Sequence, residues 1–428
     1  MNRKEIREKH DKGCDYIKES LLGRALDVFY ELADEANTDY YRIQLDRHKE
    51  TYESILKHAF KSIEDPRRNE IFEHLLRDVL EVGDRLKEHL LTHTGGSSIY
   101  RTKLKIEEDI QSGKIDYDQL LRNLIADDQL DDLLKDAEIT TQNPEESVEK
   151  ERGEVISDLF RVVWLVDKYS EDEIKLLESI RQSEQIPWHD KSLFVSALTL
   201  SGLRCFDKKK VELLFDFYKK GEDQVWQRAL VGLLFTLYKY DQRLKLYPGL
   251  MNQLSELTGD ADLEKNIEAI IIQTIKSKET EELTRKWEQE ILPEIMKMRP
   301  NIEKKLDLEN ILSDKFIEDK NPDWERVFED SPDLLDKLQE FSKLQMEGSD
   351  VFMSAFGRLK HFPFFNRISN WFIPFYKENE DINQALASGE EVNIYPLIEK
   401  LESSYYMCNS DKYSFCFNLQ YIPDEQKN

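Results

Sequence analysis

At 428 residues the chain is long enough for two or three domains, or for one elongated repeat array without a single core. Its 61 lysines and arginines stand against 87 aspartates and glutamates, a formal charge of −26 that repels phosphate backbones and anionic membranes. No basic run exceeds Lys208-Lys209-Lys210, so neither nucleic acid nor membrane is expected as a partner. Charged residues at 35%, hydrophobic ones at 39%, and only 15 glycines and 12 prolines fit long amphipathic helices rather than sheets.

The first 93 residues read as an N-terminal region of three or four helices. Tyr16, Leu21-Leu22, Ala25-Leu26, Phe29 and Leu32-Ala33 supply one or two of them, with Gly23 as a bend or tight contact, and Tyr41 to Phe60 another. Glu64-Asp65-Pro66-Arg67-Arg68 punctuates the chain, with proline expected in the first turn of the next helix. That helix carries Ile71, Leu75-Leu76, Val79-Leu80 and Leu86 on one stripe. Residues 94–153 form a linker with short helices, opened by Thr94-Gly95-Gly96-Ser97-Ser98 and most polar from Lys135 to Glu154.

From 154 to 300 the pattern is regular. Val155 to Val166 is strongly apolar and closes on Asp167, and Ser170 with Glu173 forms a capping box ahead of Ile174, Leu176-Leu177 and Ile180. Leu193 to Phe206 closes on Asp207; Val211, Leu214, Phe215 and Tyr218 then recur at i, i+3, i+4, i+7. Trp226 to Tyr238 closes on Asp241, followed by Tyr247, Leu250, Met251 and Leu254. The closing aspartates lie about 40 and then 34 residues apart, the period of stacked helical hairpins. A further step is expected from Ile267 to Met296, ended by Pro300. Residues 301–428 return to helices, with an aromatic-rich segment from Phe356 to Tyr376 that Pro363 and Pro374 prevent from being one helix. The tail from Ser403 to Ile422 is less periodic and is expected to dock on a neighbour.

Several of these stretches carry a resemblance. Leu193 to Tyr247 looks like HEAT-type repeat sequence. Lys57 to Leu91, Val195 to Tyr247 and Phe362 to Phe375 resemble a group of uncharacterised bacterial helical-repeat proteins usually labelled tetratricopeptide-repeat proteins. The residues that carry this are Glu64-Asp65-Pro66-Arg67-Arg68, Arg204-Cys205-Phe206-Asp207, Gln227-Arg228-Ala229-Leu230-Val231-Gly232-Leu233, Pro363-Phe364-Phe365 and Asn370-Trp371-Phe372-Ile373-Pro374-Phe375. The resemblance covers most of the chain and implies no activity. It implies longer relatives with further repeats, so that this chain reads as a first half.

Candidate chemistry is sparse. Asp127, Asp128 and Asp131 form a DDxxD run that could bind magnesium and a diphosphate in an all-helical enzyme, but no second acidic cluster faces it, and a solvated acidic face explains it without a metal. His89 and His93 at i, i+4 lack the H-E-x-x-H order of a metalloprotease. Cys14, Cys205, Cys408 and Cys416 are too scattered for a disulfide framework; Cys408 and Cys416 read as small apolar groups. No phosphate loop, dinucleotide fingerprint or nucleophile elbow occurs, so no cofactor, metal or catalytic residue is assigned. A reducing compartment, no signal-peptide core at Met1 to Arg7 and no spanning run predict a cytoplasmic protein.

The expectation is an all-α fold, a curved right-handed α-solenoid of antiparallel helical pairs, HEAT/TPR-like. Its expected role is a non-catalytic scaffold or adaptor for a protein partner with a basic or amphipathic segment. Phe364, Phe365, Trp371, Phe372 and Phe375 are the candidate partner-binding residues, with burial in the core as the competing account.

Overall fold

The apolar stripes become helices. The computed structural model describes residues 1–61, 66–94, 96–125, 144–259, 261–291, 360–387, 395–404 and 407–419, with isolated positions between 293 and 349. Among these residues the structure is all-helical and holds no strand. Two compact units divide it, Met1–Gly259 and Asp260–Asn428.

The first unit opens with α1 (Arg3–Lys18), capped by Asn2, whose side chain accepts from the backbone N–H of Lys4 and Glu5 while Glu5 reaches back to the Asn2 N–H. α2 (Leu22–Ala33) returns along it, and α3 (Tyr40–Phe60) pairs with α4 (Arg68–His93). Pro66 lies just ahead of α4 rather than in its first turn, because Arg67 takes the N-cap position. α4 also packs on α1 and α2, and one ring sets that approach. Phe29 is fully buried, and a Cβ at Gly13 or Gly83 would fall 2.5 or 2.6 Å from it, so glycine is required on both α1 and α4.

α5 (Ser98–Gln111) bridges α4 to α6 (Pro144–Leu165). Then follow α7 (Glu171–Gln182), α8 (Trp188–Arg204), α9 (Lys208–Lys220), α10 (Trp226–Lys239), the single turn α11 (Asp241–Leu244) and α12 (Pro248–Glu256). Their apolar faces pair in a fixed way: α8 packs against α6 and α10, while α9 packs against α7 and α12 and touches both α8 and α10. Ser170 and Glu173 do form the capping box of α7. Asp207 is the N-cap of α9 and also accepts from the Tyr169 N–H at 2.9 Å.

Polar bonds join the ends of α6, α8 and α10. Arg204, in the last turn of α8, donates to Leu165 O at the end of α6 at 2.7 Å. Lys239, in the last turn of α10, donates in the same way to Leu203 O at the end of α8. Those pairs are 39 and 36 residues apart, and Lys168 to Phe206 O spans 38. The C-terminal carbonyls of α6 and α8 are thus each capped by a cation from the helix packed beside them, a placement the helix dipole also favours, while the Lys168 bond runs from the earlier segment to the later carbonyl.

The second unit contains α13 (Ala261–Lys276), α14 (Thr280–Lys286) with a π turn at Trp287–Ile291, two 3-10 turns at Pro363–Asn366 and Ile368–Trp371, then α15 (Glu380–Ala387), α16 (Tyr395–Ser403) and α17 (Asn409–Leu419). Tyr413 and Phe417 of α17 sit against Phe362, Phe364 and Phe375, with Phe364 and Tyr413 ring centroids 4.8 Å apart. The Tyr413 hydroxyl donates to Pro374 O at 2.9 Å. Tyr413, Ser414, Cys416, Phe417 and Leu419 are all buried, so α17 is covered on several sides and shows no single apolar stripe.

Candidate functional site

The main cavity of the first unit, about 600 Å³, is walled by α1, α4, the end of α8 and the α10–α11 corner. On α1, His10 and Cys14 lie one turn apart and share a face. On α4, Asp84, Lys87 and Glu88 do the same. α11 supplies Arg243.

These groups are wired to one another. His10 Nε2 lies 2.8 Å from Asp84 Oδ1, and Arg243 binds Asp84 in a bidentate fork, with Nη2 at 3.0 Å from Oδ1 and Nη1 on Oδ2. Arg243 Nη2 is also 3.2 Å from Cys14 Sγ, and Cys14 Sγ is 3.6 Å from His10 Nε2. Burial by itself would raise the Asp84 carboxyl, but the Arg243 charge and the His10 contact hold it well below the carboxylate range. Burial likewise pushes the His10 imidazole down, yet the Cys14 sulfur and bonds to Asp11 and Asp84 outweigh it and raise it to about 10. His10 is therefore a buried imidazolium at neutral pH.

A nitrogen, a sulfur and a carboxylate oxygen from His10, Cys14 and Asp84 lie within 4.8 Å of one another, a ligand set of metal-binding type. The set does not fit a cation as arranged. Both Asp84 oxygens are committed to Arg243, and a guanidinium already touches the sulfur.

A second buried cluster borders the cavity. Arg204 Nη1 bonds Glu88 at 2.7 Å and also Asp167, while Lys103 reaches Asp167 at 2.7 Å and Thr92 Oγ1 at 3.1 Å. Burial opposes the Asp167 charge, and Arg204 and Lys103 overcome it, leaving this carboxyl below its ordinary range. Lys210 Nζ caps Val166 O at 2.9 Å and Asp167 O at 2.7 Å over the Tyr169 ring, and burial pushes its ammonium down to about 8.

The residues singled out by sequence fall elsewhere. Phe364, Phe365 and Phe375 are buried, Phe372 is half-buried, and Trp371 is 43% exposed, its Nε1 donating to Phe365 O at 2.9 Å. Asp127, Asp128 and Asp131 lie outside the described residues. His89 and His93 stack 4.2 Å apart, with His93 Nδ1 2.8 Å from His89 O and the His89 ring against Tyr41. Cys416 is buried and Cys408 exposed. Sequence reasoning passed over His10, Cys14, Asp84 and Arg243. One signal was present: Asp84 sits four residues after Leu80 and eight after Leu76, a carboxylate in register with an apolar stripe.

Among the described residues no helix is long and apolar enough to cross a membrane. No protein-family model matches the chain, and no curated protein and no solved structure matches it.

Proposed function

We propose that the chain is a non-catalytic, cytoplasmic scaffold or adaptor, a solenoid of antiparallel helical pairs of the HEAT/TPR kind that holds another protein. The observation that carries this reading is the set of polar bonds between neighbouring helix ends at separations of 36, 38 and 39 residues, which fall between the 40 and 34 residues that separate the closing aspartates. A stack held at a regular register leaves a continuous polar surface for a partner, and the net charge of −26 favours one with a basic or amphipathic segment.

Within the second unit, Trp371 is the anchor of choice. Its ring is half-exposed, fixed by the Phe365 carbonyl and faced by the Lys360 ammonium at 5.6 Å from the centroid. A rigid aromatic on a buried base is the type of side chain that dominates protein contacts. Phe365 packs against it, with ring centroids 5.3 Å apart, and Phe364 packs in turn on Phe365.

The test is affinity capture from native cytoplasm with the wild-type chain and with Trp371→Ala, each verified by circular dichroism. A discrete protein retained by the first and lost by the second is expected. No retained protein, or the same proteins on both baits, removes Trp371 as the contact.

A further inference from the structure

We infer that the cavity between α1, α4, α8 and the α10–α11 corner is a binding site for a small organic anion carrying phosphoryl or carboxylate groups, a function separate from partner binding. The chain as a whole has more acids than bases, yet among the side chains lining this cavity lysine and arginine outnumber aspartate and glutamate seven to three. Of the carboxylates at hand, Asp84 is taken up by Arg243 and Glu88 by Arg204.

Of the remaining cations, Lys87 shares Glu88 with Arg204, and Arg7, Lys18, Lys239 and Lys245 have no carboxylate ion pair among the described residues. Lys87, with its side chain only 15% exposed, makes no hydrogen bond among the described residues, and its nearest carboxylate oxygen is Glu88 Oε1 at 3.8 Å. Three ammonium donors in that position want an acceptor. Lys239 and Lys245 spend a bond each on backbone carbonyls, Leu203 O and Lys18 O, which satisfy a donor without cancelling a charge.

The local field is mixed: at Lys87 burial is outweighed by the Asp84 and Glu88 charges, which raise the ammonium, whereas at Lys239 the balance goes the other way. Burial pushes the Lys239 ammonium below its ordinary range, and the neighbouring Lys87 charge pushes it further. At the rim Asp11 is held below its ordinary range, first by His10 and then by Lys87 and Lys239. A volume of about 600 Å³ suits a small molecule rather than a folded partner.

The experiment is isothermal titration of the full chain with sodium pyrophosphate, inorganic phosphate and citrate at constant ionic strength. Saturable one-site binding of pyrophosphate, citrate or both is expected, each tighter than inorganic phosphate. Pyrophosphate alone identifies phosphoryl ligands, and citrate alone identifies carboxylates. Lys87→Gln should weaken the bound probe about tenfold. Lys245→Glu, at an exposed rim position where folding is not at stake, should weaken it by a comparable factor, and Lys209→Gln on a distant surface should leave it unchanged. The absence of saturable binding by every probe at millimolar concentration overturns the inference, as does binding that Lys87→Gln and Lys245→Glu both leave intact.

Discussion

The two units solve the problem of a polar chain with few large apolar groups in opposite ways. In the first, charges are buried and made to pay for each other: Asp84 with His10 and Arg243, Asp167 with Arg204 and Lys103. In the second, the described core is mainly a stack of rings in which Tyr413 spends its one polar atom on Pro374 O, with a single buried pair, Lys360 and Asp411, among the described residues beside it. Packed rings lose stability when volume is removed, whereas a buried ion cluster loses it when one partner goes and leaves the rest uncompensated.

The largest effects should separate the units. Asp84→Asn keeps the shape but strands two buried cations, and should destabilise the first unit by about 3–5 kcal/mol. Tyr413→Ala should cost the second unit about 3–5 kcal/mol through a cavity. Hydrogen exchange read by mass spectrometry should lose protection around α1, α4 and α11 for the first and around α17 for the second. Equal loss in both places for either variant would break the contrast.

The pH dependence sharpens it. The His10 pKa is raised from 6.5 to about 10, so its contribution is complete below about pH 6.5 and is lost as pH rises through about 10. Asp84 and Asp167 are held below the ordinary carboxylate range, so their contribution is present at neutral pH and is lost as pH falls below that range. Urea midpoints of the first unit should therefore fall on the acid side, while on the alkaline side the loss from His10 runs against a gain from Lys210, whose ammonium is lowered to about 8 and so opposes folding less as pH rises above that value. The difference between wild type and His10→Gln isolates the His10 arm, on the order of 3 kcal/mol. The Tyr413 hydroxyl, raised well above 10 by burial, affects the second unit only at still higher pH.

Two smaller substitutions probe geometry without charge. Gly83→Ala places a methyl 2.6 Å from the Phe29 ring and should cost about 1–3 kcal/mol in the first unit, measured as a lowered urea midpoint. Ser170→Ala removes the N-cap of α7 and should cost about 1 kcal/mol. A larger loss from Ser170→Ala than from Gly83→Ala would mean that local capping outranks the α1–α4 contact.

Local signals were legible in the sequence where one residue type has one physical use. The capping box of Ser170 and Glu173 and the helix-breaking prolines at 363 and 374 could be read this way, whereas Asp207, read as the end of one helix, caps the start of the next. The aspartates 167, 207 and 241 each fall near a helix end, where the local pattern placed a break. The three aspartates nevertheless do different work: Asp167 joins a buried ion cluster, Asp207 caps α9, and Asp241 is exposed in α11. Local pattern cannot reveal that difference, because it depends on what the fold brings alongside. The same holds for the cavity. His10, Asp84 and Arg243 are far apart in the chain, and each alone is an unremarkable polar residue of an amphipathic helix. The α17 tail escaped for another reason: burial on several sides erases the periodicity by which a helix is recognised.

The 159 residues between Asp84 and Arg243 also set an order of events on the ribosome. At ordinary elongation rates, on the order of ten seconds or more pass between the emergence of the carboxylate and that of its guanidinium. Glu88 waits through 116 residues for Arg204. Until then, drying the seam between α1 and α4 would leave both anions without their arginines, so water holds it open. A nascent chain halted before α8 has made neither Arg204 nor Arg243, and of the cations that hold Asp84 it carries only His10.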